Sequence, residues 1–145
     1  MDSLQVVREY YNADVAAEWE RLAKHPFEFE ITTRMMTKTI RPGDRVLDIG
    51  GGPGRYSLFL SKLGCDVTLL DLSENNVAFA LQKAKEEGLP LQGLAGDARH
   101  ADELLARHDF DHVLLMGPLY HLLEENDRRQ AAQAALRCLK PGGML

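Results

Sequence analysis

The stretch VLDIGGGPGRY, residues 46–56, decides how this chain folds. A short apolar run ends at Ile49, the backbone turns on a cluster of glycines, and a helical pattern begins directly afterwards. Glycine tolerates a positive φ and lets a ligand approach the main chain closely. The start of a helix adds unpaired N–H groups and the positive end of the helix dipole. The stretch therefore predicts a strand, a turn and a helix, with a ligand at the turn.

A carboxylate stands at the end of the next predicted strand. This residue is Asp71, and it follows Gly50 by about 20 residues. In dinucleotide sites a carboxylate at this place accepts hydrogen bonds from ribose hydroxyls. The alternative is a strand-end aspartate that caps the following helix. The glycine turn before it favours the ribose role.

The spacing of the glycines narrows the class of ligand. A nicotinamide fingerprint reads G-x-G-x-x-G, but Gly50 and Gly52 are followed by Arg55 at the third position. The Walker pattern also fails, because no Gly-Lys-Ser/Thr follows the turn. The run instead reads D-x-G-x-G-x-G from Asp48 to Gly54. A nicotinamide-dependent oxidoreductase is therefore disfavoured.

Short apolar runs alternate with helical patterns from residue 41 onward. Steady alternation predicts right-handed crossovers and a parallel sheet, and strands that are apolar nearly throughout are typical of a sheet covered on both faces. We therefore expect a three-layer α/β sandwich. The predicted strands are residues 45–49, 66–70, 91–95 and 112–116, and the predicted helices are residues 54–63, 73–87, 102–108 and 124–139.

The end of the chain raises a further expectation. Residues 140–143 form a turn that should begin a fifth strand, but the chain stops at Leu145. Four strands would leave an exposed sheet edge, and proteins usually cover such edges. We therefore expect a domain that is truncated after its fourth strand and helix, or one that a partner completes. Two copies pairing at this edge as a homodimer would satisfy the second case.

The first 40 residues are predicted to form a helical lid ahead of an α/β domain at residues 41–145. Apolar residues at three- and four-residue steps predict one amphipathic helix over residues 3–24. A second helix is predicted over residues 27–40, with Phe27, Ile31, Met35 and Ile40 facing inward.

Bulk properties exclude several classes. The chain has 145 residues and a formal net charge of -5, with no basic run that would attract nucleic acid or an anionic membrane. Cys65 and Cys138 have no metal-ligand spacing, so no metal is expected. The first residues lack the pattern of a signal peptide, and no apolar stretch reaches the length of about 18 residues that a membrane span needs. A cytoplasmic protein is the expectation.

Four segments, taken together and in this order, resemble the motifs of class I S-adenosylmethionine-dependent methyltransferases. They are the D-x-G-x-G-x-G loop, Asp71, the segment at residues 96–98 and the turn at residues 139–143. The resemblance covers nearly the whole chain from Arg41 onward. It implies a Rossmann-like methyltransferase fold with S-adenosylmethionine as cofactor and S-adenosylhomocysteine as product.

The resemblance also implies which residues hold the cofactor. The alternate glycines of the loop would let its methionine portion lie on the backbone, and Asp71 would hold the ribose. Asp97 and the N–H of Ala98 would contact the adenine, although a loop aspartate can equally form an Asx-turn. The predicted contacts are Asp48, Gly50, Gly51, Gly52, Gly54, Asp71, Leu72, Asp97, Ala98, Met116 and Tyr11.

The tip of the fourth strand should face the reacting methyl group. The segment GPLYHL, residues 117–122, is similar to one found in many small-molecule methyltransferases. It differs from the Asn/Asp-Pro-Pro-Tyr motif of enzymes that methylate bases or glutamine side chains, so we expect a small-molecule acceptor and no nucleic acid. Tyr120 and His121 are the candidate catalytic residues, because histidine can act as a base near neutral pH. The alternative is that both only pack or hydrogen-bond locally.

Two residues of the predicted lid have open roles. Tyr11 resembles an aromatic residue whose hydroxyl lies near the cofactor carboxylate in this family, but plain core packing is an equal alternative. Arg34 is either a partner for that carboxylate or a residue facing solvent.

Two functions remain open. The first is an enzyme that transfers a methyl group, which needs alignment and exclusion of water rather than a dedicated nucleophile. The second is a cofactor-binding fragment or regulatory module without activity on its own, because members of the family build acceptor contacts partly from later strands.

Overall fold

The computed structural model describes residues 2–145 of the chain. The helices are α1 Ser3–Ala13, α2 Val15–Lys24, α3 Pro26–Met36, α4 Arg55–Leu63, α5 Glu74–Glu86, α6 Ala101–Leu104 and α7 Glu125–Cys138. The strands are β1 Arg45–Ile49, β2 Asp66–Asp71, β3 Gln92–Ala95, β4 Phe110–Leu115 and β5 Leu139–Met144. Short 3-10 turns occupy Ala98–His100 and Pro118–Tyr120.

The strands form one parallel sheet in the order β3-β2-β1-β4-β5. Alternate residues of a strand point to opposite faces, and β1 accordingly supplies two apolar cores. Leu47 and Ile49 belong to the core that contains residues of α7, whereas Val46 belongs to the core that contains residues of α3 and α4. The expected three-layer α/β sandwich is confirmed. The strand order reverses at β1, which opens a crevice at its carboxyl end.

The prediction of only four strands is wrong. β5 pairs with β4 through Phe110↔Leu139 and His112↔Met144, with an irregular register between these pairs. The strand contains the Pro-Gly-Gly segment that predicted a turn, and Gly142 has a φ of 80°. An irregular edge strand of this composition carries none of the β-branched and aromatic residues that mark a strand in sequence. Pairing of two chains at this edge stays a prediction, with β5 rather than β4 exposed there.

The predicted helix over residues 3–24 is two helices. The helix is interrupted at Asp14, which has φ −143° and ψ 66° and lies between α1 and α2. Its side chain accepts a hydrogen bond from the N–H of Ala17 (2.9 Å). Aspartate at an N-cap satisfies a backbone donor that has no partner within the helix, so a new helix begins here although the apolar stripe continues.

The inward face predicted for α3 is also wrong. Phe27 is 77% exposed, and Ile31 and Met35 on the same stripe are exposed as well. Thr33 and Met36 are buried instead. Apolar residues occur on more than one side of this helix, so the pattern alone did not fix which side packs. The prediction for Ile40 is confirmed, since it is buried beyond the end of the helix.

Candidate functional site

A cavity of about 640 Å³ lies at the carboxyl ends of the central strands, enclosed by residues of α1, α2 and α3. Nearly all of the predicted site residues line it. They are Tyr11, Asp48, Gly50, Gly51, Gly52, Asp71, Leu72, Asp97, Ala98, Met116, Tyr120 and His121. The fold thus brings together residues that are scattered over most of the sequence.

Gly54 is the predicted contact that does not line the cavity. It precedes α4 with a φ of 92°, and a Cβ at this position would lie 2.8 Å from the Cβ of Ala80 on α5. Such a distance is below any normal carbon contact. Gly54 therefore permits the close packing of α4 against α5, and its contact with a ligand stays a prediction.

The glycine turn depends on backbone that other residues rarely adopt. Gly50 has a φ of 73° and Gly52 a φ of 59°. Gly51 has an ordinary φ, but a Cβ there would lie 2.4 Å from Asp48 Oδ2. The N–H of Gly50 donates to the carbonyl of Leu70 (2.6 Å), which ties the turn to the end of β2. The turn is therefore fixed both by conformation and by its neighbours.

Asp71 contacts both the glycine turn and the start of α5, whose N-cap is Ser73, and its role toward a ribose stays a prediction. Its Oδ2 accepts from the N–H of Gly52 (2.8 Å), and its Oδ1 accepts from the N–H of Ser73 (2.9 Å) and from Asn76 Nδ2 (3.2 Å). The carboxyl is buried, and burial raises its pKa although these hydrogen bonds oppose the rise. The carboxylate therefore braces the glycine turn and the start of α5 while its remaining surface faces the cavity.

Asp48 lies beneath the glycine turn. The side chain is buried and accepts a hydrogen bond from Ser57 Oγ (2.8 Å). Burial raises its pKa to about 6, although the bond from Ser57 lowers it and thereby limits the rise. Asp48 thus supports the turn from below and changes charge at a mildly acidic pH.

Asp48→Asn is expected to remove a pH dependence of stability. The folded chain holds the Asp48 proton up to a pKa of about 6, whereas an unfolded aspartate has a pKa of about 3.9. This contribution to stability is therefore complete below about pH 4 and is lost as the pH rises through about 6. Relative to wild type, the variant should gain on the order of 2 kcal/mol between pH 4.5 and pH 7.5.

Urea unfolding of both proteins at the two pH values measures this difference. Asp66→Asn, which alters a half-exposed carboxylate at the other end of β2, is the matched aspartate-to-asparagine control. A gap between wild type and Asp48→Asn that stays constant with pH would show that Asp48 keeps the same charge in the folded and unfolded chain.

Asp97 shows the Asx-turn that was the alternative to an adenine contact. Its carboxylate accepts from the N–H of Arg99 (2.9 Å) and from Arg99 Nη2 (2.7 Å), and Arg99 also pairs with Asp127 on α7 (3.1 Å). Burial would raise the pKa of Asp97, but the hydrogen bonds from Arg99 outweigh it and the pKa is lowered. Ala98 begins the 3-10 turn, where an N–H has no partner within the turn.

Two polar contacts hold α1 across the cavity. Tyr11 and His121 are joined by a hydrogen bond between the phenol oxygen and Nε2 (2.7 Å). The next residue, Asn12, accepts from Ser73 Oγ (2.6 Å) at the start of α5. Of the two candidate catalytic residues, His121 thus has a partner within the cavity, whereas Tyr120 is 84% exposed. Arg34 lies outside the cavity and pairs with Glu30, as the solvent alternative predicted.

Sequence reasoning missed a charged wall on α2 and α3. Arg21 Nε donates to Glu18 (3.0 Å) and Arg21 Nη1 donates to Glu28 (3.2 Å), and these three side chains line the cavity. Glu18 lies over the glycine turn, because a Cβ on Gly52 would be 3.9 Å from its Cγ. In sequence these residues resemble the polar face of an amphipathic helix, and only the folding of α2 over the turn distinguishes them.

Residues 2–145 contain no metal-binding cluster and no membrane-spanning helix. In this range no group of three or more His, Cys, Asp or Glu side chains is placed to hold a metal ion. Over the same residues, no helix has the length and apolar character required to cross a membrane.

Comparison with known proteins points to one family. Residues 46–143 match the family model described as a methyltransferase domain. The ubiquinone biosynthesis O-methyltransferase of Roseobacter denitrificans is 32% identical over 139 residues, covering 94% of this chain and 48% of that protein. The glycine/sarcosine N-methyltransferase of Parasynechococcus marenigrum is 29% identical over 143 residues, covering 95% of this chain and 50% of that protein. The chain thus spans about half the length of the curated relatives it matches.

A solved structure agrees with these relatives. The TehB-like SAM-dependent methyltransferase from Corynebacterium glutamicum superposes with a TM-score of 0.76 and 27% sequence identity. The match covers 93% of this chain and 70% of that one.

Proposed function

Because this chain belongs to the class I S-adenosylmethionine-dependent methyltransferases, we propose that its cavity binds S-adenosylmethionine for methyl transfer to a small-molecule acceptor. The observation that carries the proposal is the contact between Asp71 and the glycine turn. A buried carboxylate bonded to the N–H of Gly52 places a hydroxyl acceptor beside a main-chain cradle in one cavity. This juxtaposition suits an adenosyl group whose ribose lies on Asp71.

The rest of the cavity fits the two ends of such a molecule. Leu72, Asp97 and Ala98 form one end, where an adenine would lie against an apolar side chain and the start of a 3-10 turn. Glu18 and Arg21 form the other end beside Gly52. The carboxylate of Glu18 complements the α-ammonium of an amino acid, and the guanidinium of Arg21 complements its α-carboxylate.

When bound, the cofactor supplies an electrophilic methyl group on a sulfonium. The chain's own residues bind it, align it and exclude water, and alignment alone contributes roughly 7–11 kcal/mol to catalysis. The acceptor is proposed to approach from the tip of β4, near Met116 and His121. There the imidazole of His121, whose Nε2 is hydrogen-bonded to the Tyr11 phenol, is proposed to take a proton from an acceptor that must lose one.

The acceptor class rests on two observations. Residues 117–122 read GPLYHL and lack the Asn/Asp-Pro-Pro-Tyr motif. The relatives named above are an O-methyltransferase and an N-methyltransferase that bear the names of small-molecule substrates or pathways. The second candidate is a cofactor-binding unit without activity on its own, and it is favoured by the share of the relatives that the chain spans.

Isothermal titration with S-adenosylmethionine, S-adenosylhomocysteine and NAD tests the cofactor. We expect both sulfur compounds to bind and NAD not to bind, and the reverse result would overturn the proposal. Transfer of labelled methyl groups to a panel of phenols, catechols and amines then tests activity. Turnover by this chain alone would remove the second candidate.

Arg21→Gln is expected to reduce recognition of the amino-acid end. Wild type should prefer S-adenosylhomocysteine to 5′-methylthioadenosine, which lacks that end, and the variant should lose about tenfold of the preference, the size of one charge-assisted hydrogen bond. Calorimetry gives both affinities. Arg34→Gln, which alters an exposed Arg–Glu pair on α3, should leave the preference intact. An unchanged preference in Arg21→Gln would place the amino-acid end elsewhere.

A further inference from the structure

Asn76 occupies an unusual position between the cavity wall and the start of α5. It lies in the first turn of this helix with only 1% of its surface exposed, and it also lines the cavity. Its backbone N–H donates to Ser73 Oγ (3.1 Å), and its side-chain Nδ2 donates to Asp71 Oδ1 (3.2 Å). One end of the amide is therefore fixed against the carboxylate that is proposed to hold the ribose.

The other end of the amide has no partner. Asn76 Oδ1 is buried and finds no hydrogen-bond donor among residues 2–145. Buried polar atoms are nearly always paired, and an unpaired buried acceptor destabilises the folded chain. The neighbouring inward positions of α5, Val77 and Ala80, are apolar. An amide at this position thus carries a cost that an apolar side chain would avoid, unless a ligand provides the donor.

The acceptor capacity of Asp71 shows why a second acceptor is needed. A carboxylate offers about four lone-pair positions. Ser73 and Asn76 take those of Oδ1, and Gly52 takes one on Oδ2. One position on Oδ2 is left, whereas a ribose presents two neighbouring hydroxyls, each with a proton to donate. Asp71 alone therefore satisfies one hydroxyl and leaves the other without an acceptor.

We infer that Asn76 Oδ1 accepts a hydrogen bond from one ribose hydroxyl while Asp71 Oδ2 accepts from the other. This inference rests on the proposed function, since it concerns the ribose of the same adenosyl ligand. It assigns a ribose-recognition role to a residue that no motif in the sequence singles out. The two side chains act as a pair, because Asn76 Nδ2 also orients the carboxylate that it assists.

The test compares S-adenosylhomocysteine with its 2′-deoxy and 3′-deoxy analogues by calorimetry. Wild type is expected to bind each analogue about tenfold more weakly than the parent compound, because each lacks one hydrogen bond to a buried acceptor. In Asn76→Leu, one analogue should bind as tightly as the parent compound, since the acceptor for that hydroxyl is gone. The other analogue should still be discriminated through Asp71.

Asn75→Leu is the matched control. Asn75 is exposed, directly precedes Asn76 on α5 and bonds to Asn12 rather than to Asp71, so both discrimination ratios should stay as in wild type. A thermal melt establishes that each variant is folded. If Asn76→Leu does not fold, Asn76→Ala removes the same amide with a better helix former, and the ratios are measured on it instead.

The outcomes separate this inference from the proposed function. Equal weakening of all three ligands in the Asn76 variant, or ratios identical to those of wild type, would overturn the inference while leaving the cofactor assignment in place. Failure of wild type to bind S-adenosylhomocysteine at all would remove the proposed function and the inference together.

Discussion

Replacing Asp71 with alanine is expected to weaken the binding of S-adenosylhomocysteine by on the order of 100-fold, or about 3 kcal/mol. The substitution removes the acceptor proposed for a ribose hydroxyl. It also releases the N–H of Gly52, the N–H of Ser73 and the amide of Asn76, all of which bond to the carboxylate. The cradle thus loses a ligand contact and its brace at once. Isothermal titration of the two proteins measures the effect.

The same strand offers a control for this substitution. Asp66 is the first residue of β2, and Asp71 is the last. The half-exposed side chain of Asp66 pairs with Arg45 and Arg107 at the amino ends of the strands. Asp66→Asn should leave the affinity unchanged. Equal affinities of Asp71→Ala and wild type would show that the ribose does not lie at the end of β2 and that the turn holds its shape without the carboxylate.

Gly50→Ala is expected to lower the free energy of unfolding by about 3 kcal/mol. The backbone at this residue has a φ of 73°, where a side chain costs roughly 1–2 kcal/mol. A Cβ would in addition lie 2.4 Å from the ring carbons Cγ and Cδ of Pro118, in the segment that follows β4. Overlap of this kind adds roughly 1–3 kcal/mol. Urea unfolding gives the total.

Gly43→Ala separates the two contributions. Gly43 has a φ of 90°, but a Cβ there would meet no atom within 4 Å. This variant should lose only the backbone contribution, about 1 kcal/mol. If the two variants are destabilised equally, the contact between the glycine turn and Pro118 contributes nothing to the cost. Gly50→Ala should also impair binding, since the turn must shift to accommodate the methyl group.

The central part of the site could be predicted from the sequence because it depends on local chemistry. A tight turn between a buried strand and a helix requires glycines, and a carboxylate at the end of the next strand must lie beside it in a parallel sheet. The positions of Gly50, Gly52 and Asp71 follow from these two requirements. Asp48 was predicted only through the resemblance of the loop to a family motif, and the structure adds that it is buried beneath the turn.

The parts that could not be predicted depend on contacts between distant segments. Arg21 resembles a solvated residue until α2 folds over the glycine turn. Asn76 resembles an ordinary polar residue in the first turn of a helix until the packing of α5 buries it. The inward face of α3 was assigned to the stripe that begins at Phe27, which is exposed. The helix carries apolar residues on more than one side, and only its packing against the domain selects the buried face. The strand β5 was missed because its pairing with β4, rather than its composition, makes it a strand.

The bond between Asp71 and the N–H of Gly52 is made within the chain itself. A loop of glycines has more conformational freedom to lose than any other loop of its length, and a ligand that had to freeze it would bind weakly. Here the bond from β2 restrains the loop when the domain folds. The conformational entropy that the loop loses is therefore lost on folding and does not weaken binding. The cradle is therefore preorganised, and its selectivity rests on rigid complementarity instead of adaptation to whatever enters.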